Sequence, residues 1–257
     1  MANDTVTGSP GRATPPDDLP SGGETDRSAP VRWSKAVVAS IASDFTTVFS
    51  LPIALVREKK PMAIPGTLVC VALIGFFGLI QHSVGGLSFM LAVAGIHQNE
   101  PLWEVLTQIP LSMFAPAPDL PVWGALTQVF IAFGIAECWL GWKRTVGIAV
   151  WTSAVTSVVA RIMAAVSSHL FIGTPEVDKF QLDTGPSVAV VALLVYLALR
   201  LRTYWIVAVT ALSMGSEAAI LPNLAGREHL VAISLGFITY FLLDFVAPTI
   251  HRRWSAR

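Results

Sequence analysis

Apolar residues recur along this chain in six long runs, separated by polar or basic segments. Each run has the roughly 20 residues that an α-helix needs to cross a bilayer. The six predicted spans cover residues 64–82, 122–141, 145–166, 185–201, 203–221 and 228–248. Residues 83–120, between the first two spans, are mixed in character and proline-rich. We expect this long, apolar connection to be either functional or partly embedded in the membrane.

A different periodicity precedes the first span. Over residues 33–49, apolar side chains repeat at helical spacing, at Val37, Val38, Ile41, Phe45, Val48 and Phe49. Polar side chains fill the opposite face, which predicts an amphipathic helix in the membrane interface. A soluble helix that packs on the domain is the alternative. Residues 1–32 are polar and rich in proline and glycine, without the apolar core of a signal peptide, so we expect a disordered cytoplasmic tail and no cleaved leader.

The composition supports a membrane protein. Hydrophobic residues make up 53% of the chain and charged residues 13%, with a mean hydropathy of +0.62. Soluble domains carry about 25% charged residues, so we predict an all-α, polytopic protein embedded in the lipid bilayer. The net charge of zero gives no basis for nucleic-acid binding. Both cysteines lie inside apolar runs, and neither a cofactor nor a metal site is predicted.

The basic residues orient the predicted bundle. With the N-terminus inside, ten of the Lys and Arg residues from Arg57 onward fall on inner segments and two on outer segments. The inner residues are Arg57, Lys59, Lys60, Lys143, Arg144, Arg200, Arg202, Arg252, Arg253 and Arg257, and the outer ones are Lys179 and Arg227. This asymmetry predicts six spans with both termini in the cytoplasm. We expect the protein to be integral to the plasma membrane. The predicted parts are then the tail (1–32), the amphipathic helix with a basic linker (33–60), the six-helix domain (61–250) and a basic tail (251–257).

The fourth and sixth predicted spans both run from outside to inside and carry complementary side chains in their first turns, Ser187 and His229. The hydroxyl and the imidazole therefore lie at the same depth. Placed side by side, they would form a serine nucleophile with its general base. Each residue also has a plainer interpretation. Ser187 could cap its helix, and His229 could be wetted in the interface beside Arg227 and Glu228.

The motifs around these two residues resemble the rhomboid family of intramembrane serine proteases. The family's Gly-x-Ser-Gly is similar to Gly-Pro-Ser-Val at 185–188, and its His-x-x-Gly-x-x-x-Gly to His-Leu-Val-Ala-Ile-Ser-Leu-Gly at 229–236. Its Glu-x-x-x-Gly followed by basic residues is similar to residues 137–144, and its Trp-Arg-containing first loop to residues 102–107. The resemblance covers about residues 64–247. It implies a six-helix core and a catalytic Ser187–His229 dyad without a third acid.

The oxyanion site departs from the family pattern. The family's His-x-x-x-Asn falls on Pro121 and Ala125, neither of which carries a donor, and its loop arginine appears as Glu104. The family pattern leaves backbone N–H groups at the helix start, beside Gly185, as one oxyanion donor. Gln128, one turn beyond Ala125 on the same face, is the candidate for the missing side-chain donor.

Two charges lie deep in predicted spans, Glu137 and Arg161, and we predict a structural role for both. Small residues are expected to let helices approach closely, at Gly75, Gly78, Gly134, Cys138, Ala232 and Gly236. Two functions follow from the resemblance. One is an endopeptidase that cuts transmembrane segments of other proteins near the outer face, and the other is an inactive pseudoprotease that binds such segments. A small transporter would need internal repeats and broken helices, which the sequence lacks.

Overall fold

The computed structural model describes residues 29–97, 100–118, 120–165, 182–221 and 223–248. The predicted tails lie outside these ranges, except for residues 29–32. The helices are α1 (Ala29–Lys59), α2 (Pro65–Gln81), α3 (Gly86–Ala94), α4 (Leu102–Ser112), α5 (Val122–Leu140), α6 (Trp142–Ala165), α7 (Ser187–Leu201), α8 (Tyr204–Ile220) and α9 (Leu224–Phe241). A π-helical turn, Leu242–Val246, extends α9. Strands β1 (Ile96–His97) and β2 (Leu182–Asp183) form one short antiparallel pair.

Helices α2 and α5 to α9 coincide with the six predicted spans to within a few residues. Four helices in the described part are long and apolar enough to cross a membrane, at Ser34–Ala63, Val122–Leu140, Trp142–Met163 and Leu224–Val246. Helices α2, α7 and α8 are apolar but shorter. The expectation of an all-α protein with several helices that could span a membrane is confirmed, while the count of six spans stays a prediction.

Helix α1 is longer than the sequence pattern predicts. It continues through Pro52 to Lys59, so the expected basic linker is helical. Of the described residues, those through Val38 belong to one compact unit, and those from Ala39 onward belong to a second unit that contains the candidate site. Within the second unit, α1 is tied to α5 because the indole N–H of Trp139 donates to the carbonyl of Val48 (3.0 Å).

The core of the second unit surrounds α7. Almost every side chain from Val188 to Leu199 is buried, and α5, α6, α8 and α9 all pack against this helix. Its 15 residues span about 22 Å at 1.5 Å per residue, which is less than the ~30 Å hydrocarbon core of a bilayer. The outer surfaces of the neighbouring helices are apolar, as Leu79 and Leu212 illustrate at 76% and 71% exposure. Such a surface suits contact with lipid.

The predicted close-approach positions differ in what they contact. A Cβ added at Gly236 would lie 2.8 Å from the Cβ of Val195, and one at Gly78 would lie 3.0 Å from Val122. These two glycines therefore sit where helices meet. Gly75 faces open space within 4 Å among the described residues, so the expectation was wrong there. The rotation of α2 about its own axis places Gly75 on the outer side of the helix, away from any described helix contact.

Candidate functional site

Ser187 is the first residue of α7, and the segment before it is anchored to the connection between α2 and α5. Gly185 has φ +112°, a conformation that residues with a Cβ rarely adopt, and its N–H donates to the carbonyl of Ser112 (3.0 Å). Strand β2 just upstream pairs with β1. The helix starts one residue after Pro186 instead of including that proline in its first turn. The long connection between α2 and α5 thus fixes the position of the serine.

The half-buried side chain of Ser187 makes no hydrogen bond within the described part of the chain, and α7 has no side-chain cap. The plainer interpretation, in which this serine caps its helix, therefore lacks the bond that it requires. Its hydroxyl can change rotamer without breaking an existing hydrogen bond.

A cavity of about 270 Å³ opens between α5 and the start of α7. Its lining includes Pro121, just before α5, and Ala125 and Gln128 from α5, together with Gly185 and Ser187. All five predicted positions thus surround one space. Of Pro121, Ala125 and Gln128, the last alone carries a side-chain donor.

Helices α7 and α9 run parallel and in contact, which sets their relative depth. Ala232 of α9 belongs to one buried cluster with Val188, Val191 and Ala192 of α7. Further along, Gly236 meets Val195 and Tyr240 packs against Tyr196. Ser187 and His229 each lie about two turns before the Gly236–Val195 contact on their own helices. The two residues therefore stand at the same level of neighbouring helices.

His229 is buried at 9% exposure, so the interpretation as a wetted interfacial histidine does not hold. Its Nδ1 lies 3.0 Å from Oε2 of Glu217 on α8. Among the described residues, no hydrogen bond joins His229 to Ser187, and His229 does not line the cavity beside the serine. The imidazole is held on the α8 side, while the hydroxyl borders the α5 side.

The tight turn between α8 and α9 brings Glu217 and His229 together. The side chain of Asn223 accepts a hydrogen bond from the N–H of Gly226 (2.9 Å) and caps α9. A Cβ at Gly226 would lie 2.9 Å from the Cα of Ala218, so the absence of a side chain allows the two helices to approach closely.

Sequence reasoning missed the Glu217–His229 contact. The available signal was the position of two ionisable residues on either side of a short helix–helix connection. In an antiparallel hairpin, residues at similar distances from the turn face each other. Which way each side chain points depends on helix rotation, which apolar periodicity alone does not define closely enough.

Glu137 lies away from the serine and holds the start of α2. Its buried carboxylate accepts hydrogen bonds from the N–H of Gly66 (2.9 Å), the N–H of Thr67 (2.6 Å) and the hydroxyl of Thr67 (2.7 Å). A negative charge at a helix N-terminus is favourable because the unpaired N–H groups point toward it. This geometry is what the predicted structural role requires.

Arg161 on α6 is half-buried, and its Nη1 is buried without a hydrogen-bond partner in the described part of the chain. It does not pair with Glu137, whose described partners are Gly66 and Thr67. The described residues contain no group of three or more His, Cys, Asp or Glu side chains that could hold a metal ion.

Comparisons with protein-family models, with curated proteins and with solved structures returned no match. The functional interpretation therefore rests on the residues of this chain and their geometry.

Proposed function

We propose that this chain is an intramembrane serine endopeptidase of the rhomboid type, with Ser187 as nucleophile and His229 as general base. The observation that carries the proposal is the shared level of these two residues on neighbouring parallel helices, Ser187 at the start of α7 and His229 in the second turn of α9. A buried imidazole in a membrane bundle is costly to keep unless it serves a function. The six spans, the plasma membrane and the cytoplasmic termini predicted from the basic residues are part of the same proposal.

The reaction uses one proton carrier and one covalent intermediate. The hydroxyl proton of Ser187 moves to Nε2 of His229 as Oγ attacks the carbonyl carbon of the scissile peptide bond. The C–N bond then breaks, and Nε2 returns the proton to the leaving amine. Water next gives a proton to Nε2 and attacks the acyl carbon, and Ser187 leaves with that proton.

The oxyanion that forms on the carbonyl needs donors on the α5 side of the serine. Backbone N–H groups at the start of α7 lack partners within their own helix and point toward this position. The amide of Gln128 lines the same cavity and supplies the second donor. This assignment replaces the side-chain donors that the family carries where this chain has Pro121 and Ala125.

The absence of a Ser187–His229 hydrogen bond requires a rotation of the serine hydroxyl when substrate binds. Catalytic hydrogen bonds are often long or misaligned without substrate and tighten in the reactive complex. The rotation breaks no existing bond of Ser187, as described above. The substrate is a transmembrane segment of another protein, and the cut lies near its outer end because Ser187 begins α7, whose start is the predicted outer end of that span.

The proposed function can be tested by treating the purified full chain with a fluorophosphonate probe. The probe transfers its phosphonyl group to an activated serine oxygen and releases fluoride. We expect labelling of the wild type and loss of labelling in Ser187→Ala and His229→Ala. Ser234→Ala is the matched control, because this serine lies on the exposed side of α9 and bonds only the Leu230 carbonyl (3.0 Å). Labelling that persists in Ser187→Ala would refute the assignment of the nucleophile.

A pseudoprotease is the second candidate, and the residues at two oxyanion positions favour it. Pro121 and Ala125 line the cavity without a side-chain donor. A wild-type chain that binds a transmembrane peptide but neither cuts it nor reacts with the probe would support this second function.

A further inference from the structure

We propose that Glu217 is the positioning residue of a Ser187–His229–Glu217 triad, in which its carboxylate orients the imidazole for catalysis. This proposal rests on the serine endopeptidase function proposed above. It extends that function, because the resemblance that suggested the function implies a dyad without an acid.

The hydrogen bond between these residues selects the histidine tautomer. An ionised carboxylate can only accept, so Nδ1 of His229 must donate to Oε2 of Glu217 across their 3.0 Å separation. The neutral ring then carries its lone pair on Nε2. That nitrogen is the one that a serine nucleophile needs as base, and the opposite tautomer would present an N–H to the hydroxyl instead.

The burial of the pair suits an orienting role. The side chain of His229 is 11% exposed, whereas that of Glu217 is 32% exposed. The carboxylate is therefore only partly buried, in the last turn of α8, and avoids much of the cost of a fully buried charge. When Nε2 takes the serine proton, the ring becomes an imidazolium, and the adjacent carboxylate stabilises this positive charge in the partly dry interior.

A purely structural role for Glu217 explains less of the geometry. The α8–α9 hairpin already has the Asn223 cap and the close contact between Gly226 and Ala218. Glu217 adds one bond to an element that these contacts define. The bond fixes the rotation of the imidazole ring, which neither of the other contacts touches.

The tautomer can be measured without any enzymatic turnover. Full-length protein carrying ¹⁵N-labelled histidine is examined in detergent micelles by NMR at a pH where His229 is neutral, with His229→Gln used to assign the signal. We expect Nδ1 to be protonated and Nε2 unprotonated in the wild type. Glu217→Ala should lose this preference, and Glu217→Asp should retain it in part.

The rate of labelling by the fluorophosphonate probe provides a second, kinetic test. We expect Glu217→Ala to slow phosphonylation of Ser187 by up to about 10⁴-fold, the loss seen when the orienting acid of a serine protease triad is altered, and Glu217→Asp to recover part of that loss. Asp244→Asn is the matched control, because Asp244 also pairs across the bundle, with Arg200 and the Tyr196 hydroxyl. This control removes a carboxylate without touching His229, so its labelling rate and His229 tautomer should stay at the wild-type values.

Two results distinguish the role proposed for Glu217 from the endopeptidase function on which it rests. A wild-type ring protonated at Nε2, or a Glu217→Ala variant labelled at the wild-type rate, overturns the role of Glu217 and leaves the serine–histidine assignment standing. A ring protonated at Nδ1 in a Glu217-dependent manner, in a wild type that the probe does not label, overturns the endopeptidase function instead.

Discussion

Replacing Gly236 by alanine should force α7 and α9 apart just below the candidate site. The added Cβ would lie 2.8 Å from the Cβ and Cγ1 of Val195 and 3.0 Å from the carbonyl oxygen of Ala192. Non-bonded carbon atoms normally rest about 3.5–4.0 Å apart, so one helix must move by roughly 1 Å. Rotation of Val195 offers little relief because its Cβ is itself in the clash and its χ1 is restricted in a helix.

This displacement has a cost in stability and a larger one in activity. Overpacking of a well-packed core lowers the free energy of unfolding by about 1–3 kcal/mol. Since Ser187 and His229 lie about two turns from the contact, a shift of roughly 1 Å also changes their separation. Misplacements of that size can cost about 10²-fold in rate. We expect Gly236→Ala to be less stable in detergent unfolding titrations and to react with the fluorophosphonate probe about 100-fold more slowly.

Gly75→Ala provides the matched control in another apolar helix. A Cβ there meets no described atom within 4 Å, so the change should raise helix stability by up to about 1 kcal/mol without moving a neighbour. If Gly236→Ala matches Gly75→Ala in both unfolding and labelling, the close contact between α7 and α9 does not set the geometry of the site.

Three further changes test separate parts of the structure. Glu137→Gln should lower the free energy of unfolding by about 2–4 kcal/mol. The amide replaces one of the two carboxylate oxygens that accept the three hydrogen bonds from Gly66 and Thr67. Detergent unfolding titrations that show no loss of stability would contradict this. Asn223→Ala should remove the α9 cap and lower the same quantity by about 1 kcal/mol, with an unchanged midpoint as the opposing result. Gln128→Ala should slow cleavage of a transmembrane peptide by about 10²–10³-fold if its amide binds the oxyanion, and a rate equal to that of the wild type would remove it from the site.

The sequence predicted the helices well because each span needs only a sustained apolar run, and such runs are visible directly. The relative depth of Ser187 and His229 also followed from sequence, since charge asymmetry gives direction and residue counts give distance along a helix. Helix α1 was harder to delimit. Its amphipathic pattern fades before Pro52, yet the helix continues to Lys59.

Rotation about helix axes was the property that the sequence did not define. The pattern treated Gly75 and Gly236 alike, although one faces open space and the other contacts Val195. The same limit hid the Glu217 contact, because it depends on which faces of α8 and α9 meet. Tertiary packing determines which face of each helix points inward. A small difference in helix rotation therefore separates a hydrogen-bonded pair from two side chains that do not meet.

The central claim is that Ser187 and His229 act together to cut a peptide bond within the membrane. The most direct test places the full chain and a transmembrane peptide substrate in the same liposomes and identifies products by mass spectrometry. We predict cleavage at one bond near the outer end of the substrate segment by the wild type, and none by Ser187→Ala or His229→Ala. Equal cleavage by Ser187→Ala, or an intact substrate bound to the wild type, would contradict the account.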